Sequence, residues 1–494
     1  MGIVIKQSFK NTIIIYLSFL VGGINTIIFY PRFLESEYYG IVTFVLSASN
    51  LIMPLTAFGI QYTVVKFFSS YQDKIQKDRF LTLALGLPFI IALPIGYFWD
   101  YFHNWIMQSV TAENKNVEQY TFYIYSIAVS CAFFEIFYSW AKVHLQTVFG
   151  NILKEFWNRA VVMILLIAVF TQTITRPQFI EFLAIAYVLR SLIMMGYAFS
   201  IYMPSFSFKL PDNFKEIIRY SLYIILAGSA GAILLDIDKV MIPGRETFET
   251  AAYYTVAVFI GTFIEAPSRA MNQILQPLTS KTLNEKNDKE VAVLYKKSSI
   301  NLLVIGGLFF LLVNCGVHEL FKLMPEKGYA GGELVVLLIS LAKLYTMILG
   351  NNGAIISNSK FYRITLPIGV GMAIMVYLLN RWLFTIYGTD GLALATLITI
   401  FSFNTFKLFY VRAKFEIVPF TQKSWLMMSI ITGLFLAFYF WNFSFDVINE
   451  TTSILMNLLV KCAIIFIIYV VLIIRLQISD ELTSMYNQFI GSNR

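Results

Sequence analysis

The fold is decided first by residues 11–34, which read NTIIIYLSFLVGGINTIIFYPRFL. This stretch carries no charged residue before Arg32. A helix of about 20 mostly apolar residues crosses the roughly 30 Å hydrocarbon core of a bilayer. The run is longer than the apolar core of about 7–15 residues in cleaved signal peptides, and it lacks a small-residue cleavage site. We therefore predict a first membrane-spanning helix that the protein retains.

Apolar runs of similar length recur along the rest of the chain. Hydrophobic residues make up 58% of the 494 residues and charged residues only 13%, against about 25% charged in soluble proteins. Open sheet edges cannot be satisfied in lipid, so we predict an all-α integral membrane protein. Breaking the runs at charges, Pro, Gly and Asn gives about fourteen predicted helices: 9–33, 39–65, 80–103, 119–143, 156–174, 179–203, 217–242, 251–276, 293–316, 333–356, 364–385, 389–411, 424–442 and 453–475.

The chain lacks the common sequence marks of an enzyme. None of the segments between predicted helices is long enough to fold as a soluble domain. There is no P-loop and no H-E-x-x-H motif. The three cysteines, Cys131, Cys315 and Cys462, each lie in an apolar run, which does not indicate a disulfide framework or a metal site. We expect no enzyme activity, no metal, no cofactor and no nucleic-acid partner.

Lys and Arg are unequally divided between the two sides of the predicted bundle. With the N-terminus inside, the inside segments hold 24 of them and the outside segments hold 7. Membrane proteins keep an excess of Lys and Arg in cytoplasmic loops. We therefore predict an even number of helices and cytoplasmic placement of both termini.

Two stretches, 16–39 and 223–254, resemble each other. Each has small residues in mid-helix, a Pro at the outer end, a short acidic turn and an aromatic pair. Both begin inside, so the repeat is parallel, with its axis along the membrane normal, as in transporters that bind substrate between their halves. We predict an N-terminal lobe of six helices over 1–212, a C-terminal lobe of six over 213–416, and a terminal helix pair with a cytoplasmic tail over 417–494.

Ionisable residues inside the predicted helices are the candidate site. Such a residue costs several kcal/mol unless it is paired or hydrated, so it marks a cavity. The cations favour an anionic substrate, and a pyrophosphate suits them because Arg binds phosphate oxygens in pairs. The candidate substrate-binding cations are Arg32, Lys66, Arg190, Lys239, Arg269 and Lys343. The candidates for ion coupling are Glu135, Asp236, Asp238 and Glu265.

Several of these charges have two interpretations. Glu265 and Arg269 are spaced to form an ion pair on one helix face, yet Arg269 beside Pro267 also fits a cation that faces a cavity. Glu135 has no charged partner within one turn, which fits a protonatable carboxylate. We interpret Lys407 and Lys461, near predicted helix ends, as side chains that extend to the headgroups.

Four short segments resemble those of the Wzx-like polysaccharide flippases of the multidrug/oligosaccharidyl-lipid/polysaccharide (MOP) exporter superfamily. They are EYYGIVTFV (37–45), LDIDKVMI (235–242), AYYTVA (252–257) and YGTDGLALAT (387–396). Their order and spacing, together with the helix count, carry the resemblance over roughly residues 9–475. It implies a MATE-like fold and a bacterial inner-membrane protein.

The resemblance also implies a function. Proteins of this family move an undecaprenyl-pyrophosphate-linked repeat unit to the periplasmic leaflet by alternating access, for O-antigen, capsule or exopolysaccharide assembly. A polymerase and a chain-length regulator act in the same pathway, and a proton or sodium gradient is a candidate driving force. By position Arg32 and Arg269 resemble cavity arginines, and Asp238 matches a recurrent acidic residue. Lys239 departs from the family pattern, where Arg is common.

Three other functions are weighed against translocation. A drug or cation antiporter of the same fold would favour buried carboxylates, whereas the candidate charges are mostly basic. A membrane glycosyltransferase or polymerase would need a long outside loop or a catalytic His/Asp pair. A scaffold would carry no charge inside the bilayer.

Overall fold

The computed structural model describes residues 2–441 and 449–479, and within these ranges the regular secondary structure is entirely helical. The α-helices, numbered in chain order, are α1 Gly2–Ile24, α2 Ser36–Thr56, α3 Ile60–Phe67, α4 Lys74–Gly86, α5 Phe89–Tyr97, α6 Trp99–Ser109, α7 Thr121–Val143, α8 Val148–Asn151, α9 Asn158–Phe170, α10 Arg176–Ile201, α11 Phe214–Met241, α12 Phe248–Thr262, α13 Ala266–Asn284, α14 Asp288–Lys322, α15 Glu333–Ile348, α16 Asn352–Ser357, α17 Thr365–Phe415, α18 Gln422–Tyr439 and α19 Glu450–Arg475. There are two π-helical segments. Asn25–Leu34 continues α1, and Ile152–Trp157 precedes α9.

The protein is a multi-pass membrane protein, as predicted. Among the described residues, ten helical stretches are long and apolar enough to cross a membrane. The predicted count of fourteen is not confirmed, because several predicted helices are interrupted and two are joined. The end of predicted helix 424–442 at residue 442 and the tail beyond residue 479 lie outside the described residues.

Uninterrupted apolar runs gave the most accurate helix predictions. The predicted helix 119–143 corresponds to α7, and 179–203 corresponds to α10. In both, few Pro or Gly residues compete with the helical repeat, so the hydrophobic span alone sets the length.

The predicted continuous helix 39–65 is wrong, because the chain breaks between α2 and α3. Pro54 lies in the last turn of α2, where its ring removes a backbone donor. Gly59 then takes φ of +66°, a left-handed conformation that favours glycine. A methyl group at Gly59 would also lie 2.4 Å from a side-chain carbon of Ile224 and 2.9 Å from the Ser221 carbonyl oxygen. Gly59 thus lets α3 turn away from α2 while packing on α11.

Two other predictions differ from the structure in where a helix is continuous. The predicted helix 80–103 is divided into α4, α5 and α6. Helices 364–385 and 389–411 run together as α17, with a kink at Gly388, where φ is +55° and ψ is −141°. The predicted division therefore falls at a real bend in the backbone.

The chain has two compact units. Unit 1 comprises Met1–Thr255 with Gly369–Tyr377, and unit 2 comprises Val256–Ile368 with Leu378–Arg494. In unit 1, α7 packs against α2, α3 and α10, and α2 packs against α11. Its largest fully buried side chain is Trp140, packed in a core with Phe80 and Phe134.

Unit 2 is organised around the long helix α14. This helix packs against α13, α15, α18 and α19. Buried apolar side chains, including Leu303, Leu311, Met427 and Ile465, fill the space between them. The lobe boundaries predicted from the internal repeat stay a prediction.

Candidate functional site

Unit 1 contains a cavity of about 380 Å³ that brings together charged and aromatic side chains. It lies among α2, α3, α7, α11 and the π-helical segment before α9. The lining residues are Met53, Gln61, Tyr62, Val65, Lys66, Glu135, Lys142, Lys154 and Tyr220. We call this group the basic cavity.

The break between α2 and α3 shapes one wall of the basic cavity. Irregular backbone at membrane depth is tolerated where it lines a cavity or is buried in protein. Helix α3 is held against α11 by a buried hydrogen bond of 2.9 Å between the hydroxyls of Thr63 and Ser221. This contact orients α3 so that Tyr62 and Lys66 line the cavity.

The charges of the basic cavity do not cancel. Lys154 Nζ lies 2.5 Å from Glu135 Oε1, and the Glu135 side chain is 15% exposed. Lys66 and Lys142 line the same space. Three lysines therefore face one carboxylate, and the excess positive charge favours an anionic ligand.

Two tyrosine rings hold the lysine side chains in place. Lys66 Nζ lies 3.7 Å from the centroid of the Tyr220 ring. Lys142 Nζ lies 3.9 Å from the centroid of the Tyr138 ring, and Lys154 Nζ lies 6.0 Å from it. A cation over an aromatic face keeps its charge while losing side-chain freedom. The tyrosines therefore restrict the positions that the ammonium groups can take.

The sequence places no charged partner within one turn of Glu135, and in the structure its partner is Lys154 from the next segment of chain. Lys142 and Lys154 were missed as site residues, because their positions near predicted helix ends assigned them to cytoplasmic segments. The sequence positions of both lysines relative to Glu135 could have indicated the site. Lys142 follows Glu135 by two helical turns, and Lys154 precedes the next predicted helix.

Arg190, a predicted substrate cation, is packed inside unit 1 and only 4% exposed. Its guanidinium carbon lies 4.2 Å from the Phe134 ring centroid and 4.8 Å from that of Tyr187. Its Nη2 donates a hydrogen bond of 3.3 Å to the Cys131 sulfur. In this arrangement the aromatic rings cover the cation, and its role in substrate binding stays a prediction.

The end of α11 forms a second polar group in unit 1. Asp236 accepts hydrogen bonds of 3.1 Å from Ser47, Asn50 and Lys239. These contacts tie α11 to α2. The ion-coupling role of Asp236 and the substrate-binding role of Lys239 stay predictions. The contacts observed here link one helix to another.

Asp238 is 6% exposed, and its hydrogen-bond donors differ from those of Asp236. Its Oδ2 accepts a hydrogen bond of 2.6 Å from the Tyr254 hydroxyl, and its Oδ1 accepts one of 2.8 Å from the Lys239 backbone. Both carboxylate oxygens are therefore engaged.

The three predicted site residues of unit 2, Glu265, Arg269 and Lys343, lie close together. Glu265 Oε2 lies 2.6 Å from Lys343 Nζ, so an ion pair links the start of α13 to α15. Arg269, one turn further along α13, interacts electrostatically with the same carboxylate. The Glu265 carboxylate thus interacts with two cations. The sequence spacing predicts the pair with Arg269, whereas Lys343 comes from another helix.

Arg32 lies exposed in the last turn of the π-helical segment Asn25–Leu34. Of the predicted substrate cations only Lys66 lines the basic cavity, and of the predicted coupling acids only Glu135 does.

The interpretation of Lys461 as a headgroup-seeking side chain is wrong. Lys461 is 1% exposed, and its Nζ lies 3.5 Å from Oε1 of Glu319, itself 5% exposed. Because α19 packs against α14, the lysine faces protein rather than lipid. Lys407 is half-buried and donates a hydrogen bond of 3.3 Å to Asn404 on its own helix.

Comparisons with known proteins agree with this architecture. The family model described as polysaccharide biosynthesis protein matches residues 8–283, more than half of the chain. No match was found among curated protein sequences. A solved structure of lipid II flippase MurJ in an inward closed conformation has a TM-score of 0.71 at 13% identity, covering 95% of this chain and 99% of that one.

Two further solved structures are similar. An inward-facing multidrug resistance MATE family transporter of the MOP superfamily has a TM-score of 0.59 at 15% identity, covering 78% of this chain and 94% of that one. A MOP superfamily transporter from Pyrococcus furiosus has a TM-score of 0.58 at 14% identity, covering 84% and 95%. At these identities the similarity shows the fold alone, and it confirms the predicted MOP fold.

Proposed function

The chain belongs to the polysaccharide biosynthesis protein family, and from this membership we propose that it is a flippase for a lipid-linked oligosaccharide. The proposed substrate is an undecaprenyl-pyrophosphate-linked repeat unit. The proposed reaction is its transfer across a bacterial inner membrane by alternating access, with both termini cytoplasmic. The translocated repeat unit would be used in O-antigen, capsule or exopolysaccharide assembly. A polymerase and a chain-length regulator would act in that assembly.

The observation that carries this proposal is the excess of positive charge in the basic cavity. Lys66, Lys142 and Lys154 outnumber Glu135 in a space of about 380 Å³. A pyrophosphate carries several acceptor oxygens and strong negative charge, and charge-assisted hydrogen bonds to lysine ammonium groups suit it. A cation antiporter would need the opposite balance of charge.

The position of the basic cavity supports loading from the cytoplasmic leaflet. Its three lysines lie at the helix ends that the Lys and Arg distribution assigns to the cytoplasmic side. A lipid-linked intermediate made in the cytoplasm would present its anionic group at this level. Tyr62 adds an aromatic face on which a sugar ring would stack.

Glu135 is the carboxylate that lines the basic cavity. Its carboxylate lies 2.5 Å from Lys154, so a substrate phosphate would compete with it for the same ammonium group. Protonation of Glu135 on substrate binding would couple that binding to a proton gradient. In this proposal the transport cycle needs no cofactor and no covalent step.

The proposal is tested in cells of the native host that lack the gene and carry plasmid-borne variants. Lys66→Gln, Lys142→Gln and Lys154→Gln are each expected to reduce polymer export by roughly tenfold, the effect of one lost charge-assisted hydrogen bond. The lipid-linked intermediate should accumulate in the same cells. The predicted substrate role of Arg269 is tested in the same assay with Arg269→Ala.

The matched control is Lys74→Gln, which removes one exposed lysine of unit 1 outside the basic cavity. Lys74→Gln should export polymer at the wild-type level. Equal export in the control and all three cavity variants, at equal protein abundance, would refute the assignment of substrate to this cavity.

A further inference from the structure

Lys407 of α17 is a cation of unit 2 that the proposed function does not use. Helix α17 belongs to a stretch long and apolar enough to cross a membrane, and Lys407 lies about two turns before its end at Phe415. The side chain is half-buried. Among the described residues it forms no ion pair, and it donates its hydrogen bond to the neutral side chain of Asn404. An ammonium group inside a spanning helix needs an anion or water as a partner, so it marks a candidate binding site.

A chain of hydrogen bonds fixes the amide beside Lys407. Lys407 Nζ donates 3.3 Å to Asn404 Oδ1, and Asn404 Nδ2 donates 3.0 Å to the Thr346 hydroxyl. That hydroxyl donates 3.0 Å to the Ala342 carbonyl oxygen of α15. Asn404 is 5% exposed, so it is held between α15 and α17 with its oxygen toward the lysine. An ammonium group has three N–H donors, and this chain uses one of them, so two remain for an anion.

An apolar cluster closes the face of Lys407 toward the end of α17. Val411 follows Lys407 by four residues and therefore lies on the same face of the helix. It is fully buried in a cluster with Tyr295, Ile355 and Ile356, which are buried as well. Packed side chains thus separate Lys407 from a headgroup phosphate beyond this end of the helix. A glycan that is carried across the membrane, in contrast, passes every depth of it, so an anionic sugar would reach Lys407.

The number of free donors indicates which anion fits. One positive charge with two N–H donors matches a carboxylate, which has one negative charge and two oxygens. A pyrophosphate carries more charge and suits the three lysines of the basic cavity, which lies entirely in unit 1. We propose that Lys407 binds the carboxylate of an acidic sugar, such as a uronic acid, in the oligosaccharide of the substrate. This inference rests on the proposed function and adds that the repeat unit is acidic.

The test compares two synthetic polyprenyl-pyrophosphate-linked disaccharides that differ only in a terminal glucose or glucuronic acid. Their binding to the purified full-length protein in neutral detergent is measured by native mass spectrometry. Wild-type protein should bind the glucuronic acid lipid roughly tenfold more tightly, the effect of one charge-assisted hydrogen bond. Lys407→Gln should abolish this preference by weakening the binding of the glucuronic acid lipid, and Lys407→Arg should keep most of it. The matched control Lys414→Gln removes an exposed lysine of the same helix and should keep the full preference.

Equal binding of the two lipids by wild-type protein would overturn the proposal and leave the proposed function standing, and this comparison needs no variant that folds. An equal loss of both lipids in Lys407→Gln would assign the lysine to the pyrophosphate and overturn the acidic sugar. Loss of phosphatidylglycerol binding in Lys407→Gln, with the preference for glucuronic acid intact, would overturn it in favour of a membrane lipid. Binding of neither disaccharide lipid by wild-type protein would overturn the proposed function itself, and this inference with it.

Discussion

At the scale of single residues, the ion pair between Lys461 and Glu319 in unit 2 buries two charges. Both side chains are almost fully buried, at 3.5 Å from each other. Taking two charges out of water costs several kcal/mol each, and their attraction offsets that cost only while both are present. Loss of either partner leaves a buried charge without compensation.

Lys461→Met should therefore lower the free energy of unfolding by about 3–5 kcal/mol. Thermal unfolding of the purified protein in detergent measures the effect. Combining it with Glu319→Leu removes both charges and should restore most of the stability, because an apolar pair of similar volume replaces a buried ion pair at little cost. Unchanged thermal unfolding in the single variant would contradict the buried pair.

Lys461 also shows what residue patterns could not supply. Its place in the apolar run was clear from sequence, and a lysine close to a predicted helix end usually extends to water. Its partner Glu319 is 142 residues away in the chain, so no local pattern connects them. Glu135 and Lys154 illustrate the same limit at shorter range, since they meet only after the chain turns between α7 and α9.

At the scale of elements, α2 and α12 begin in close contact, and a glycine makes the contact feasible. A methyl group at Gly40 would lie 1.8 Å from the carbonyl oxygen of Phe248. Asn114 fixes the same region, with its amide donating 2.8 Å to the Pro243 carbonyl and 2.7 Å to that of Glu246. Because the neighbouring atoms at Gly40 are backbone, they cannot move aside without displacing a helix.

Gly40→Ala should therefore destabilise the folded protein by about 2 kcal/mol or more, within the range known for overpacked sites. Gly196→Ala is the matched control: Gly196 lies within α10, and a methyl group there would meet nothing within 4 Å. The control should be neutral or slightly stabilising, because Ala favours helix over Gly. Thermal unfolding of both proteins checks the prediction, and equal destabilisation by the two changes would contradict it.

Helix positions could be predicted from sequence better than helix continuity. Hydrophobic runs of the right length gave α7 and α10 within a few residues. The separation of α2 from α3 depends on Pro54 together with a left-handed Gly59 that packs on α11. The Pro and Gly were visible, but whether they break or merely bend a helix depends on the neighbouring helix.

At the scale of the whole molecule, composition and the division of Lys and Arg determined the predicted class and orientation. The class is confirmed by the fold shared with MOP superfamily structures. The basic cavity depends on which helix ends meet, and that arrangement follows from long-range packing. The excess of cations in the sequence therefore predicts an anion site, while only Lys66 of the six predicted substrate cations lines the basic cavity.

The predicted orientation has a direct test. A reporter enzyme that is active only in the periplasm, fused after Arg494, should be inactive, because the excess of Lys and Arg on one side predicts that both termini lie in the cytoplasm. The same reporter fused after Lys115, in a segment predicted to be outside, should be active. Activity of the fusion after Arg494 would contradict the predicted orientation and the proposed loading of the basic cavity from the cytoplasmic leaflet.

We propose that the protein moves a lipid-linked pyrophosphate through the basic cavity and that the lysines there bind its anionic group. Proteoliposomes that contain an undecaprenyl-pyrophosphate-linked oligosaccharide test this proposal, because an impermeant lectin or glycosidase detects the oligosaccharide when it reaches the opposite leaflet. Wild-type protein and Lys74→Gln should give rapid appearance, and the triple variant Lys66→Gln, Lys142→Gln, Lys154→Gln should reduce it to the rate of protein-free vesicles. Translocation by the triple variant at the wild-type rate, or no translocation by the wild-type protein, would refute transport through the basic cavity.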